Sequence, residues 1–144
     1  MQLSPHFTLE ELTITQHRGI DNTPSLPIVS NLTRLAHKLE DIRNILNSSM
    51  IISSGYRCLE LNRSIGSKDT SAHVNGLAAD FISPKFGLPS SVFEYLRSKK
   101  ELRYDQLILE KIGGKQWLHV GLRDKPEDYR QQCLIIDESG VHNV

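Results

Sequence analysis

His73, Asp80 and His119 are the residues of this chain whose types and settings could do chemistry together. Asp80 sits in Leu77-Ala78-Ala79-Asp80-Phe81-Ile82, which otherwise reads as a buried strand. A carboxylate taken out of water is costly unless it is paired, hydrogen-bonded or bound to a metal. Strand alternation puts Ala78, Asp80 and Ile82 on one face and Leu77, Ala79 and Phe81 on the other. In Trp117-Leu118-His119-Val120-Gly121-Leu122, the histidine shares a face with Trp117 and Gly121, opposite a core stripe of Leu118, Val120 and Leu122. Gly121 leaves room for a ligand to approach the sheet. Taken singly, Asp80 could accept backbone hydrogen bonds at a turn, and His119 could be a structural histidine. Taken together, two imidazoles and one carboxylate can hold Zn²⁺ tetrahedrally with the fourth position open to water, the pattern of a catalytic site. Zinc brings the pKa of such a water to about 7. The other histidines, His6, His17, His37 and His142, lack matching partners.

The elements that must position these residues are legible from periodicity. Residues 1–26 are rich in turn formers and read as an ordered arm over the core, with a short helix from Thr8 to Ile14. Glu11, three residues after Thr8, completes a capping box there. From Pro27 to Leu46, apolar residues recur at Ile28, Leu32, Leu35, Leu39, Ile42 and Leu46, which predicts a long helix. Met50 to Ile52 reads as a short strand ending in Ser53-Ser54-Gly55, and Leu59 to Ile65 as a short helix. Leu77 to Ile82 follows as a strand and Ser90 to Ser98 as a second amphipathic helix. Gln106 to Leu109 and Trp117 to Leu122 form a hairpin about Gly113-Gly114. A short helix after Asp124, a strand from Cys133 to Ile136 and a loose tail at 137–144 complete the chain. Helices first and strands later predict an α+β domain, a mainly antiparallel sheet with helices packed on one face. The expected organisation is a single domain over 1–144, with its catalytic core at 27–136.

Composition excludes several classes. Seventeen basic and seventeen acidic residues balance, so no field draws the chain to nucleic acid or anionic lipid. No segment approaches the roughly 20 apolar residues that span a bilayer. The N-terminus, MQLSPHFTLEEL, lacks the basic and apolar regions of a signal peptide. The expectation is a monomer made in the cytoplasm that reaches any outside substrate only after the membrane is permeabilised. Cys58 and Cys133 are the only cysteines, too few for a disulfide framework, and are read as free thiols.

Ser71-x-His73-x-x-Gly76-x-Ala78-x-Asp80 resembles the S-x-H-x-x-G-x-A-x-D signature of the zinc D-Ala-D-Ala carboxypeptidases and phage L-alanyl-D-glutamate endolysins. Ser54-Gly55-Tyr56-Arg57 with Asn62 is similar to the family's S-G-Y-R…N segment, and Trp117-x-His119 to its closing W-x-H. The opening, from Ser4-Pro5-His6-Phe7-Thr8 to Asp21-Asn22-Thr23-Pro24, is similar to the leader of compact phage members. The resemblance spans roughly residues 3 to 122. It implies the Hedgehog/DD-peptidase fold, one Zn²⁺ on His73, Asp80 and His119, and Arg57 polarising the scissile carbonyl of a peptidoglycan stem peptide. Ser71 is implied as a hydroxyl that touches substrate or supports a ligand, and it could equally cap a turn.

The chain departs from the pattern at Gln116. Many relatives place an acidic general base three positions before the last histidine, and an amide cannot take a proton. Glu110, closing the strand that starts at Gln106, is the preferred substitute, with Asp105 behind it. Alternatively the metal acts with weaker help, or the chain is a metal-holding module that grips the wall or a partner protein without cutting. Segments 85–90 and 111–115 are expected to shape the pocket and so to decide which bond is cut.

Overall fold

The computed structural model describes residues 1–144. The N-terminal arm carries helix α1 (Leu9–Leu12), capped as expected: Thr8 Oγ1 accepts from the Glu11 amide while Glu11 accepts from the Thr8 amide. Phe7 and Leu12 of this arm are fully inside the core. Helix α2 (Leu26–Leu46) has Pro27 in its first turn, where a missing N–H costs nothing, and ends at Asn47 in the left-handed region. Its buried stripe is Leu32, Leu35, Ala36, Leu39, Ile42 and Leu46.

The remaining elements are β1 (Ile51–Ser54), α3 (Leu59–Ser64), β2 (Ala78–Ile82), α4 (Pro89–Arg97), β3 (Gln106–Ile112), β4 (Lys115–Gly121), β5 (Gln132–Asp137) and β6 (Gly140–Asn143). One-turn 3₁₀ segments lie at Ala72–Asn75 and Pro126–Asp128. The strands make one sheet in the order β1-β2-β4-β3-β5-β6. Every pairing is antiparallel except β3 with β5. The α+β class with a mainly antiparallel sheet is therefore as expected. No helix is long and apolar enough to cross a membrane.

The inner face of the sheet presents Ala79, Phe81, Leu107, Leu109, Leu118 and Val120, which merge with the stripes of α2 and α4 into one core. That burial leaves the other face free for polar residues. Across it run two rows set by register. Asp80, His119, Ile108 and Leu134 are successive partners, and Trp117, Glu110 and Ile136 form the next row. Rows two residues apart along a strand are separated by about 7 Å.

Three features differ from the expectations. The hairpin strands are longer, meeting at Gly113-Gly114, because left-handed backbone at both glycines makes a tight two-residue turn. The short helix after Asp124 is a single 3₁₀ turn. The C-terminal residues expected to hang as a loose tail instead form β6, paired with β5. Asp137 accepts from the Ser139 amide and hydroxyl, closing the turn that brings β6 back.

Two contacts fix the arm and the sheet end. A Cβ on Gly55 would lie 2.3 Å from the Leu12 carbonyl oxygen, and the Tyr56 amide donates to that same oxygen at 2.7 Å. At the other end, Asp105 is 5% exposed and takes bidentate hydrogen bonds from Arg130 at 3.0 and 2.8 Å, with Arg123 at 3.1 Å. Burial alone would raise the Asp105 pKa. The Arg130 hydrogen bonds and the two guanidinium charges outweigh it and hold the group below its ordinary 3.8.

Gly55→Ala should cost about 1–3 kcal/mol or more, since backbone rather than a flexible side chain must move; a thermal melt unchanged from wild type would refute the close packing. For Asp105, the folded pKa lies below the unfolded one, so its contribution is present above that value and is lost as pH falls through the folded pKa. The melting-temperature gap between wild type and Asp105→Asn should accordingly be widest above the ordinary 3.8 and should narrow as pH falls below it.

Candidate metal centre

The site is assembled on the free face of the sheet from two neighbouring strands and one turn. Asp80 on β2 and His119 on β4 are direct cross-strand partners. Asp80 Oδ1 lies 3.1 Å from His119 Nδ1 and 3.3 Å from His73 Nε2. The two imidazoles meet edge to face with centroids 5.1 Å apart. One ligand atom from each of the three residues falls within 4.8 Å of the others.

His73 comes from the 3₁₀ turn, which is held at both ends. Ser71 caps it by accepting from the His73 amide at 3.3 Å. Gly76 closes it at φ +69°, where a Cβ would also press on Ile28 and Leu32 of α2. The ring itself is aimed by a hydrogen bond from Nδ1 to the Gly55 carbonyl at 2.6 Å. With the proton kept on Nδ1, Nε2 presents its lone pair toward Asp80, the arrangement that orients metal-ligating histidines. His73 is 2% exposed, and burial lowers its pKa against the opposing pull of Asp80, so the ring stays neutral. His119 uses Nδ1, since its Nε2 faces Gly121, where a Cβ would stand 3.2 Å away.

For Asp80, burial favours the neutral acid, but the two imidazoles win and hold the carboxyl far below its ordinary value. The donor set is thus one carboxylate oxygen and two imidazole nitrogens, convergent and of the kinds that a divalent zinc ion takes. The residues fit a zinc ion.

The centre lies in a cleft of about 1160 Å³ that Arg57, Ser71, Glu110 and Trp117 also line. Arg57 is carried just beyond β1, its amide bonded to the His73 carbonyl at 3.0 Å. Its Nε is buried without a hydrogen-bond partner, leaving a guanidinium with donors to spare beside the centre. Burial is the largest influence on Glu110 and raises its pKa, helped by the charge of Asp80 and opposed by His119 and Arg57. Its carboxylate accepts from the Trp117 indole at 2.8 Å.

The structure thus brings all six expected site residues into one cleft. Gln116 is exposed and does not line it, because it occupies the core-side parity of β4 alternation. Asp105 also lines the cleft, but both its oxygens are taken by arginines. The walls are not the segments expected to shape the pocket: residues 65–72 and 122–130 contribute to the cleft, and 85–90 and 111–115 do not. Sequence reading gave no role to the Gly55 carbonyl that aims His73, or to Asn22. The Asn22 side chain donates to Thr13 and Tyr56 carbonyls and accepts from the Cys58 amide, tying the arm to the Arg57 loop. A lone asparagine before Thr-Pro carries no signal of such a tie.

An α+β domain with a His-Asp-His donor set, an arginine and a basic glutamate in one cleft is the outfit of a metallopeptidase. The family profile described as Peptidase M15 matches residues 5–120, and the chain belongs to that family of zinc D-Ala-D-Ala carboxypeptidases. A search of curated proteins finds no match.

Asp80→Ala should leave a folded domain that no longer retains zinc through gel filtration, because the core does not depend on the site. Gly121→Ala should weaken zinc retention as well, by displacing the His119 ring. Zinc found at full occupancy in Asp80→Ala would dismiss this donor set.

Proposed function

We propose that the protein is a zinc-dependent hydrolase of an amide bond in the peptidoglycan stem peptide, with the Hedgehog/DD-peptidase fold. The observation that carries this reading is the convergence of His73, Asp80 and His119 beside Arg57 and Glu110 in one cleft. Membership of the Peptidase M15 family supports it.

His73 Nε2, His119 Nδ1 and an Asp80 oxygen would hold the ion. A zinc ion bound there supplies a Lewis acid and makes water nucleophilic near neutral pH. Arg57 donates its free N–H groups to the carbonyl oxygen as negative charge builds on it, in a cleft where such electrostatic help is strongest. Glu110 accepts the proton of the attacking water and returns it to the departing amine. Its raised pKa suits that exchange, and its bond to Trp117 fixes the carboxylate. Ser71 serves by capping the turn that carries His73, while its place in the cleft lets its hydroxyl meet substrate.

We infer further that the enzyme is a phage or prophage endolysin of the D-Ala-D-Ala carboxypeptidase or L-alanyl-D-glutamate endopeptidase type. The likeness of the Ser4–Thr8 and Asp21–Pro24 segments to compact phage members supports this. Such an enzyme would work on the wall once the membrane is permeabilised, as a monomer. The second reading, a metal-holding module that binds without cutting, rests on Gln116, and Glu110 in the cleft counts against it.

Purified peptidoglycan should release fragments in the presence of the protein, release should stop with a chelator and return with zinc, and mass spectrometry of the fragments names the bond. Glu110→Gln should lower kcat by about 10²–10⁴-fold with zinc content intact. Gln116→Glu should leave kcat where it is. Wall binding without fragment release would favour the module.

A further inference from the structure

The cleft has a second charged feature, one strand row, about 7 Å, from His119. Gly121 and Gln106 are cross-strand partners in that row, and Gln132 continues it on β5. Asp105 precedes Gln106, its amide bonded to the Gly121 carbonyl at 2.9 Å and its carbonyl accepting from the Gln132 amide at 3.0 Å. The Asp105 carboxylate therefore stands where three strands end together. Arg123 and Arg130 close on it from the segment after β4, and all three residues line the same cleft as the metal centre.

The donor count is uneven. Arg130 spends Nε and one Nη on Asp105, and its other Nη makes no hydrogen bond in the protein. Arg123 approaches Asp105 with Nε at 3.1 Å, and neither of its Nη groups makes a hydrogen bond in the protein. Two guanidiniums share one carboxylate, which leaves a unit of positive charge. Both arginine side chains are 45% exposed, while that of Asp105 is 7% exposed. Asp124 and Asp128 line the same end, but neither comes within ion-pair distance of either arginine. A buried carboxylate thus holds two half-exposed guanidinium forks in place, with planar donors facing the cleft, a form matched to a carboxylate.

We propose that Arg123 and Arg130, braced by Asp105, form a subsite for a free carboxylate of the substrate. This rests on the reading that the cleft takes a stem peptide. Such a peptide offers two carboxylates of the same chemistry, the C-terminal one and the α-carboxylate of a γ-linked glutamate. Arg123 makes the interaction through its open Nη groups. Arg130, more firmly bound to Asp105, sets the position of the pair and contributes its remaining Nη.

The test uses the zinc-loaded protein and three synthetic stem pentapeptides: both carboxylates free, C-terminal carboxamide, and glutamate α-carboxamide. Affinity is read by calorimetry in a Glu110→Gln background, where turnover is slowed, and kcat/KM in the protein with Glu110 intact. One of the two amidations should weaken binding about tenfold, the scale of one charge-assisted hydrogen bond, and its identity names the carboxylate. Arg123→Gln should weaken the free peptide by the same factor and lose the discrimination, with a melting temperature lowered less than in Asp105→Asn because the Arg130 hydrogen bonds stay. The proposal is overturned if neither amidation changes affinity, if no peptide binds, or if Arg123→Gln weakens all three alike. Discriminating binding without cleavage in the Glu110 protein would sink the hydrolytic reading and keep the subsite. Cleavage without discrimination would do the reverse.

Discussion

A carboxylate buried at the middle of a sheet, between two imidazoles, is the constraint around which the rest of this molecule is arranged. Asp80 cannot stay charged out of water without compensation, and its neighbours are chosen to give it. His119 reaches it across one strand pairing, so their approach is as rigid as the ladder itself. His73 reaches it from a turn, which is a weaker support, and the fold adds a cap, a left-handed glycine and a carbonyl to hold that ring. The two imidazole nitrogens and the carboxylate oxygen that meet there are a donor set that a divalent cation would complete. The nearby Arg57 and Glu110 then face a centre that is cationic when loaded.

The Gly55 carbonyl links that centre to the opposite end of the chain. It fixes His73, while Gly55 itself is pressed on the Leu12 backbone, and Tyr56 beside it donates to the Leu12 carbonyl. Asn22 adds two hydrogen bonds between the arm and the loop that carries Arg57, and a third within the arm to the Thr13 carbonyl. The N-terminal arm, which holds no site residue, thereby sets the positions of two of them. Rigid support of this kind matters because an electrostatic site works only when its dipoles need not reorganise during reaction.

Much of this was legible in the chain because it is periodic. The α2 stripe, the inward alternation of Leu118 and Val120, and the Thr8–Glu11 cap are local patterns, and the structure repeats them nearly residue for residue. The placing of Asp80 and His119 on the free face followed from the same alternation. What escaped was non-local. The parallel pairing of β5 with β3 has no turn to announce it, since parallel strands need a long crossover. Strand β6 is four residues with little apolar content, so its order comes from pairing alone. Which segments wall the cleft depended on both, and the pair of arginines on Asp105 could not be seen before the ends of β3, β4 and β5 were known to meet.

The last two strands have a further consequence for how the molecule comes into being. The family match ends at residue 120, yet Leu134, Ile136 and Val141 lie in the cleft beside residues the match includes. On a ribosome, β3 and β4 can zip together as a hairpin while β5 is still in the exit tunnel. The partner edge of β3 stays bare until residues 122–137 have emerged. Only then is the cleft floor whole, so the nascent chain holds its complete metal-binding residues before it has the floor on which a substrate would rest.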